Sequence, residues 1–174
     1  MILPVIQERR SVRDFAPKEV PEELIQELIH AAQIAPTGMN NRAVEFLVLR
    51  SREAKEILFT LLEPKQPFIK EAPVVIVPVT DTRKIQVPNL NQTIVAVSDL
   101  AIASAFIMTQ AMALGLGTVW KHIMAEIAPE VIKAFGLSSE FFLINAIPVG
   151  YPAKKLPPHQ ESEFSAAKIH REQW

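Results

Sequence analysis

Residues 91–116, NQTIVAVSDLAIASAFIMTQAMALGL, decide how the rest of the chain is read, because Asp99 is the only charged side chain among them. A run of this length and apolarity is long enough to cross a bilayer. Ser98, Asp99, Ser104, Thr109 and Gln110 interrupt it repeatedly, however, which a lipid-facing helix tolerates poorly. The reading that remains is a long helix of a water-soluble domain, with no membrane span expected. A helix apolar on most of its circumference must be covered on most sides, by its own chain or by a twin. In a chain of 174 residues a subunit interface is the more economical cover.

Toward the carboxyl end, Gly115 and Gly117 stop this helix, and 116–123 is expected as a strand carrying Trp120, Lys121 and His122. A helix over 129–135 ends at Gly136, and a strand over 142–149 closes at Gly150-Tyr151-Pro152. The tail holds Lys154 and Lys155 and a last amphipathic piece running to Trp174.

Toward the amino end, 81–91 is polar and turn-rich, a surface excursion or a lid. The branched run 74–79 reads as a strand buried on both faces. A proline- and lysine-rich loop over 64–73, a helix over 52–62 and a strand over 45–49 precede it. A helix over 21–35 has Pro21, Glu22 and Glu23 in its first turn and Leu24, Leu28, Ala31 and Ala35 on one face. Pro36 ends it, and the polar loop Pro36-Thr37-Gly38-Met39-Asn40-Asn41-Arg42 follows, wedged between helix and strand. That position suits side chains held over a ligand, and equally an ordinary connector.

A first short helix over 2–10 tolerates Pro4 in its first turn and leads into Arg9-Arg10-Ser11-Val12-Arg13. Guanidinium forks and a hydroxyl in five positions form an anion clamp suited to a terminal phosphate. The same run would also serve as a solvated helix end that complements the dipole.

Hydrophobic residues make up 49% and the formal net charge is -1, so the global basic excess of a nucleic-acid binder is missing and any basic site is local. One domain over 1–174 is expected. With no cysteine, disulfides, thiolate metal sites and a cysteine nucleophile are excluded. The histidines at 30, 122, 159 and 170 show no metal-ligand spacing, so no metal is expected. The start has no basic region followed by a long apolar run, and cytoplasmic placement is expected. Neither G-x-G-x-x-G, nor G-x-x-x-x-G-K-[ST], nor G-x-S-x-G occurs.

Taken in order, Arg9-Arg10-Ser11-Val12-Arg13-Asp14-Phe15, Ala35-Pro36-Thr37-Gly38-Met39-Asn40, Glu71-Ala72-Pro73-Val74-Val75, Asp99, Gly115-Leu116-Gly117-Thr118-Val119-Trp120 and Val149-Gly150-Tyr151-Pro152 resemble the flavin-dependent nitroreductase family over nearly the whole chain. The resemblance implies an α+β fold, a mixed, mainly antiparallel sheet flanked by helices, in an entwined homodimer with FMN at the subunit interface. It implies a phosphate clamp of Arg9, Arg10 and Ser11, with Arg13 reaching the ribityl and pyrimidine side. Pro36, Thr37, Gly38 and Asn40 of the other subunit would line the ring, and the backbone of Trp120, Lys121, His122 and Ile123 would face its N5 and O4 edge.

Two departures stand out. The family's Gln-Pro-Trp after the Asn loop is replaced by Arg42-Ala43-Val44, so Arg42 either adds positive charge at the pyrimidine edge or at an acidic substrate, or pairs with Glu45 on the surface. No arginine stands between Tyr151 and His170, which leaves Lys154 or Lys155 to complete the phosphate site. The implied activity is hydride transfer from NADH or NADPH through FMN to a small-molecule acceptor such as a nitroaromatic, a quinone or a flavin, with no catalytic side chain assigned. A non-catalytic flavin-binding or sensory dimer is the competing reading.

Overall fold

The computed structural model describes residues 2–62, 66–87 and 91–173. Its centre is strand β2, Val74–Asp81, in which all eight residues are buried. Strand β1, Val44–Leu49, pairs antiparallel with β2 along its length, from Val44 opposite Thr80 to Leu49 opposite Val75. On the other side of β2 lie β5, Phe141–Phe142, and β6, Asn145–Gly150; β3, Gly117–Thr118, and β4, Lys121–His122, pair with β6. Every pairing between these strands is antiparallel.

Alternation along β2 sorts the core into two layers. Val75, Val77 and Val79 face α3, Arg52–Leu61, the short α4, Phe68–Glu71, and α6, Ala128–Ala134, through Leu58, Phe59, Ile69 and Val131. Val74 and Ile76 face α2, Glu22–Gln33, and α5, Gln92–Ala113, through Ile25, Leu28, Ala103 and Ile107. The chain is thus a sheet with helices on both faces.

Several boundaries differ from the sequence reading, for identifiable reasons. The strand expected over 116–123 keeps one register, Thr118 opposite Val149 and Lys121 opposite Ala146, but its ladder breaks between. Opposite Val119 stands Pro148, whose carbonyl accepts the Val119 N–H at 3.3 Å and which has no N–H to return. The strand expected over 142–149 is also split. Thr80 faces Phe142 and Ile76 faces Ile147, so the three residues 77–79 oppose the four residues 143–146, a one-residue bulge. Pro78 lies at its centre. Asp81 donates its N–H to Ala43 on the β1 side, so by alternation the N–H that Pro78 lacks would point at β5 and β6.

The loop expected over 64–73 contains α4, over which Lys55 lies; its buried ammonium donates to the carbonyl of Ala72 at 2.6 Å. Burial lowers the Lys55 pKa. Helix α2 buries Ile25, Leu28 and Ala32, a face turned by about one residue from the one expected. The first helix, α1, is only Pro4–Glu8, shorter than the 2–10 expected, and Arg9 is its C-cap, so the basic run begins at its carboxyl end. In the 81–91 excursion Ile85 and Val87 are buried against Val95 and Ala96. The expected lid around Pro88 and Asn89 lies outside the described residues.

Helix α5 starts at Asn91, whose side chain accepts from the N–H of Thr93 at 2.9 Å. It meets the length and composition of a membrane span. One side packs on α2 and the sheet through Ala103, Ile107 and Ala111, and on Ile85 and Val87 through Ala96. On the opposite side Ile94 is 65% and Val97 38% exposed, and Ala105 is exposed between them and the half-buried Met108 and Met112.

Candidate functional site

The basic segment is fixed by the edge of the sheet. Ser11 bridges Thr118 in parallel, and Val12 donates its N–H to the Thr118 carbonyl at 2.9 Å. Farther on, Ala16 donates to Tyr151 at 2.8 Å and Ala153 donates to Asp14 at 2.9 Å. Val12 lies so close over Gly117 that a Cβ there would stand 2.5 Å from Val12 Cγ2. Glycine at 117 is therefore a condition for the close approach that holds the arginines in place.

Arg9 and Arg10 line a cleft of about 170 Å³ with Lys154 and Lys155 on one side and Met108, Met112 and Gly115–Thr118 on the other. Among the described residues Glu8 is its only acidic lining residue, so the four cations leave a net positive surface that outweighs the partial negative charge of the α5 carboxyl end. Lys154 makes a loose contact with Asp14 at 3.8 Å. Among the described residues Arg9, Arg13 and Lys155 have no hydrogen bond or ion pair through their side chains. Arg10 feels Glu163, whose carboxyl is held below its usual pKa first by the Gln160 N–H and then by His159. Arg13 is exposed and Ser11 half-buried.

The loop 36–42 is built on unusual backbone. Met39, Asn40 and Arg42 have φ of 52°, 56° and 51°, the left-handed region that non-glycine residues enter at a cost. Local side chains hold this shape. Arg42 donates its N–H to Thr37 Oγ1 at 3.2 Å and its Nε to Asn40 Oδ1 at 3.0 Å. Asn41 donates to the Gly38 carbonyl and accepts the Gln86 N–H at 3.1 Å. Glu45 pairs with Lys84, so the surface pair expected between Arg42 and Glu45 does not form. Pro36 and Asn40 are exposed, while Thr37 and Arg42 line a cleft of about 240 Å³ with Gln33.

Asp99 reaches this loop from α5, its Oδ1 accepting the Gly38 N–H at 2.9 Å. The residue is 2% exposed, and Oδ2 has no partner among the described residues. Burial raises its pKa, against the lowering effect of the Gly38 N–H. The sequence marked Asp99 as a lone charge and as one of the residues that carry the family resemblance; its contact with Gly38, 61 positions away, carried no signal.

A proton held more tightly in the folded chain than in the unfolded one makes stability fall as pH rises from the ordinary carboxylate range toward the raised value. Asp99→Asn keeps the acceptor and removes that slope. Urea midpoints measured from about pH 4 to about pH 8 should fall in the parent relative to Asp99→Asn.

The third group is β4 and its flanks. Lys121 and His122 pair with Ala146 and Asn145, and Ile123 donates its N–H to the Ile144 carbonyl at 2.8 Å. Trp120 and Lys121 are half-buried, His122 is exposed and Ile123 is buried. His122 and Ile123 line an apolar cleft of about 750 Å³ beside α6. Within one chain the three groups therefore line three clefts. No group of three or more histidine, aspartate or glutamate side chains suited to a metal occurs among the described residues.

Comparison with known proteins gives a consistent picture. A family model described as the nitroreductase family matches residues 6–64 and 58–151. A curated protein of Methanothermobacter thermautotrophicus, provisionally named NADH dehydrogenase/NAD(P)H nitroreductase, is 33% identical over 175 residues, covering 99% of this chain and 87% of its own. A crystal structure from Clostridium acetobutylicum, provisionally described as an NADH oxidase, is 31% identical with a TM-score of 0.88 over 98% of this chain and 99% of that one. An FMN-dependent nitroreductase of Clostridium difficile is 26% identical with a TM-score of 0.86, covering 98% of each chain.

Proposed function

The chain belongs to the nitroreductase family, and we propose from that premise that it is an FMN-dependent oxidoreductase passing hydride from NADH or NADPH to an oxidised small molecule such as a nitroaromatic, a quinone or a flavin. The observation that carries the reading is the cluster of Arg9, Arg10, Lys154 and Lys155 around one cleft, with the Arg9 guanidinium unengaged among the described residues. Such a cluster fits the terminal phosphate of FMN. FMN, when bound, supplies the hydride-accepting and hydride-donating centre.

The protein's part is to bind, orient and shield. Arg9, Arg10 and Ser11 hold the phosphate, and Lys154 or Lys155 takes the place of the family's tail arginine. Arg13 and Arg42 bring positive charge to the pyrimidine side, where a reduced ring carries negative charge. Of the segment 120–123, the N–H groups of Trp120 and His122 alternate away from β6 and face the ring edge, whereas that of Ile123 is donated to the Ile144 carbonyl and leaves only its backbone position beside the ring; the cleft beside α6 opens next to them. Pro36, Thr37, Gly38 and Asn40 come from the second subunit of a homodimer, which the uncovered apolar side of α5 supports. The whole chain acts as one domain, in the cytoplasm.

Titration of the purified chain with FMN, followed by anaerobic rapid mixing with NADH and NADPH, tests this. Bleaching of the flavin band by either nucleotide, and its return on adding menadione, is the expected result. A chain that binds FMN, is bleached by dithionite and ignores both nucleotides would instead be the non-catalytic flavin-binding dimer. A chain that never binds FMN overturns both readings.

The shared geometry has its own consequence. In a mixed dimer with Asn40→Ala in one subunit, one of the two flavins should bind about tenfold more weakly while the other keeps its affinity. Two equal sites in isothermal titration would contradict the seam arrangement.

A further inference from the structure

Three left-handed non-glycine residues within four positions make 39–42 a segment that persists only because its surroundings determine it. Most of what determines it is local or reaches the neighbouring strand end. Asn41 engages Gly38 and Gln86, Arg42 engages Thr37 and Asn40, and the Ala43 carbonyl accepts from Thr80 Oγ1 at 3.2 Å. None of these contacts sets the distance between the loop and α5. Two others do. The Gly38 N–H donates to Asp99 at 2.9 Å, and Gly38 is pressed on Val95 so closely that a Cβ would stand 2.5 Å from Val95 Cγ1.

Asp99 is a costly residue for a purely structural anchor. Its Oδ2 is buried without a partner among the described residues, so an ionised carboxylate leaves a bare charged oxygen and a protonated one leaves an unused O–H. Helix α5 is also the element whose far side is uncovered, and the loop stands on its amino-terminal half. The loop is therefore docked on the same helix whose far side is uncovered.

We propose that Asp99 is a positioning residue: its carboxyl pins Gly38 to α5 and so fixes loop 36–42 where one subunit presents it to the flavin gripped by the other. The step from pinning to flavin rests on the function proposed above, while the pinning itself does not. Asp99 touches neither cofactor nor substrate in this account and acts through the Gly38 backbone.

Two readouts keep these apart. In the flavin-free dimer, hydrogen exchange followed by NMR should show the Gly38 amide of Asp99→Ala exchanging at least about tenfold faster than in the parent, with amides in the middle of β2 unchanged. Asp99→Asn, whose amide oxygen still accepts, should restore parental protection. If Asp99→Ala exchanges like the parent at Gly38, the pinning is wrong whatever binds.

In the FMN-loaded dimer, Asp99→Ala should raise the Kd for FMN about tenfold and shift its visible band, with Asp99→Asn within about twofold of the parent. Gly38→Ala should mimic Asp99→Ala by pushing on Val95, and Gly38→Ala with Val95→Ala should recover, which a general loss of stability would not reproduce. Fast Gly38 exchange together with unchanged FMN affinity and spectrum would overturn the link from loop to cofactor.

Discussion

Ala105→Glu is expected to give a folded chain that sediments as a monomer and no longer retains FMN. Ala105 lies in the middle of the uncovered side of α5, one and two turns from Ala101 and Val97 toward the amino end and close to Met108 and Met112 toward the other. Because it is exposed in the single chain, a longer polar side chain there disturbs no contact of the fold itself. In a dimer packed along this face the same carboxylate is buried opposite apolar atoms and a small-residue approach is blocked. Burying an unpaired charge in this way costs about 4 kcal/mol or more, roughly a thousandfold in the dimer dissociation constant. Sedimentation velocity and flavin absorbance of the same sample check both halves of the expectation. A dimer that persists with bound FMN would move the interface elsewhere.

The second large effect is at the basic cleft. Arg9→Ala should weaken FMN by about 1.5–3 kcal/mol, or about 10- to 150-fold in Kd, the usual worth of a charge-assisted contact. Arg9 is suited to this test because its guanidinium has no partner among the described residues, so truncation strands no buried group. The backbone that carries the cluster is held by the Val12 to Thr118 hydrogen bond, which the substitution leaves alone. Riboflavin, which lacks the phosphate, should bind the parent and the variant about equally. An Arg9→Ala variant with parental FMN affinity would remove Arg9 from the clamp.

The elements that position the site were legible where burial pattern and composition agree. The branched run of β2, the apolar length of α5 and the arginines at 9, 10 and 13 stand out because each concentrates one physical property in a short window. What escaped depends on partners that are distant in sequence. Nothing near 119 or 143 reveals that Pro148 and Pro78 stand opposite and break the ladders there. The face of α2 is turned because Ile25 meets the sheet and α5, a choice made by the neighbours and not by the helix. Helix α4 was hidden in a stretch of prolines and lysines, one of which, Pro67, caps it. Arg42 looks bound for Glu45 along the chain, yet its left-handed backbone turns it to Asn40 while Lys84 takes the glutamate.

Pro78 touches none of the three clefts, yet the bulge beside it determines what one of them is made of. With no proton to offer on that side, the central strand leaves the neighbouring stretch free to arch away for one residue, while on its outer side that stretch keeps its register with β4, where the Ile144 oxygen meets the Ile123 amide. The arch thus carries Leu143 and Ile144 into the wall of the cleft beside α6 without breaking the outer ladder. An ordinary amino acid at 78 would invite the two strands to zip shut and would draw that wall back toward the sheet.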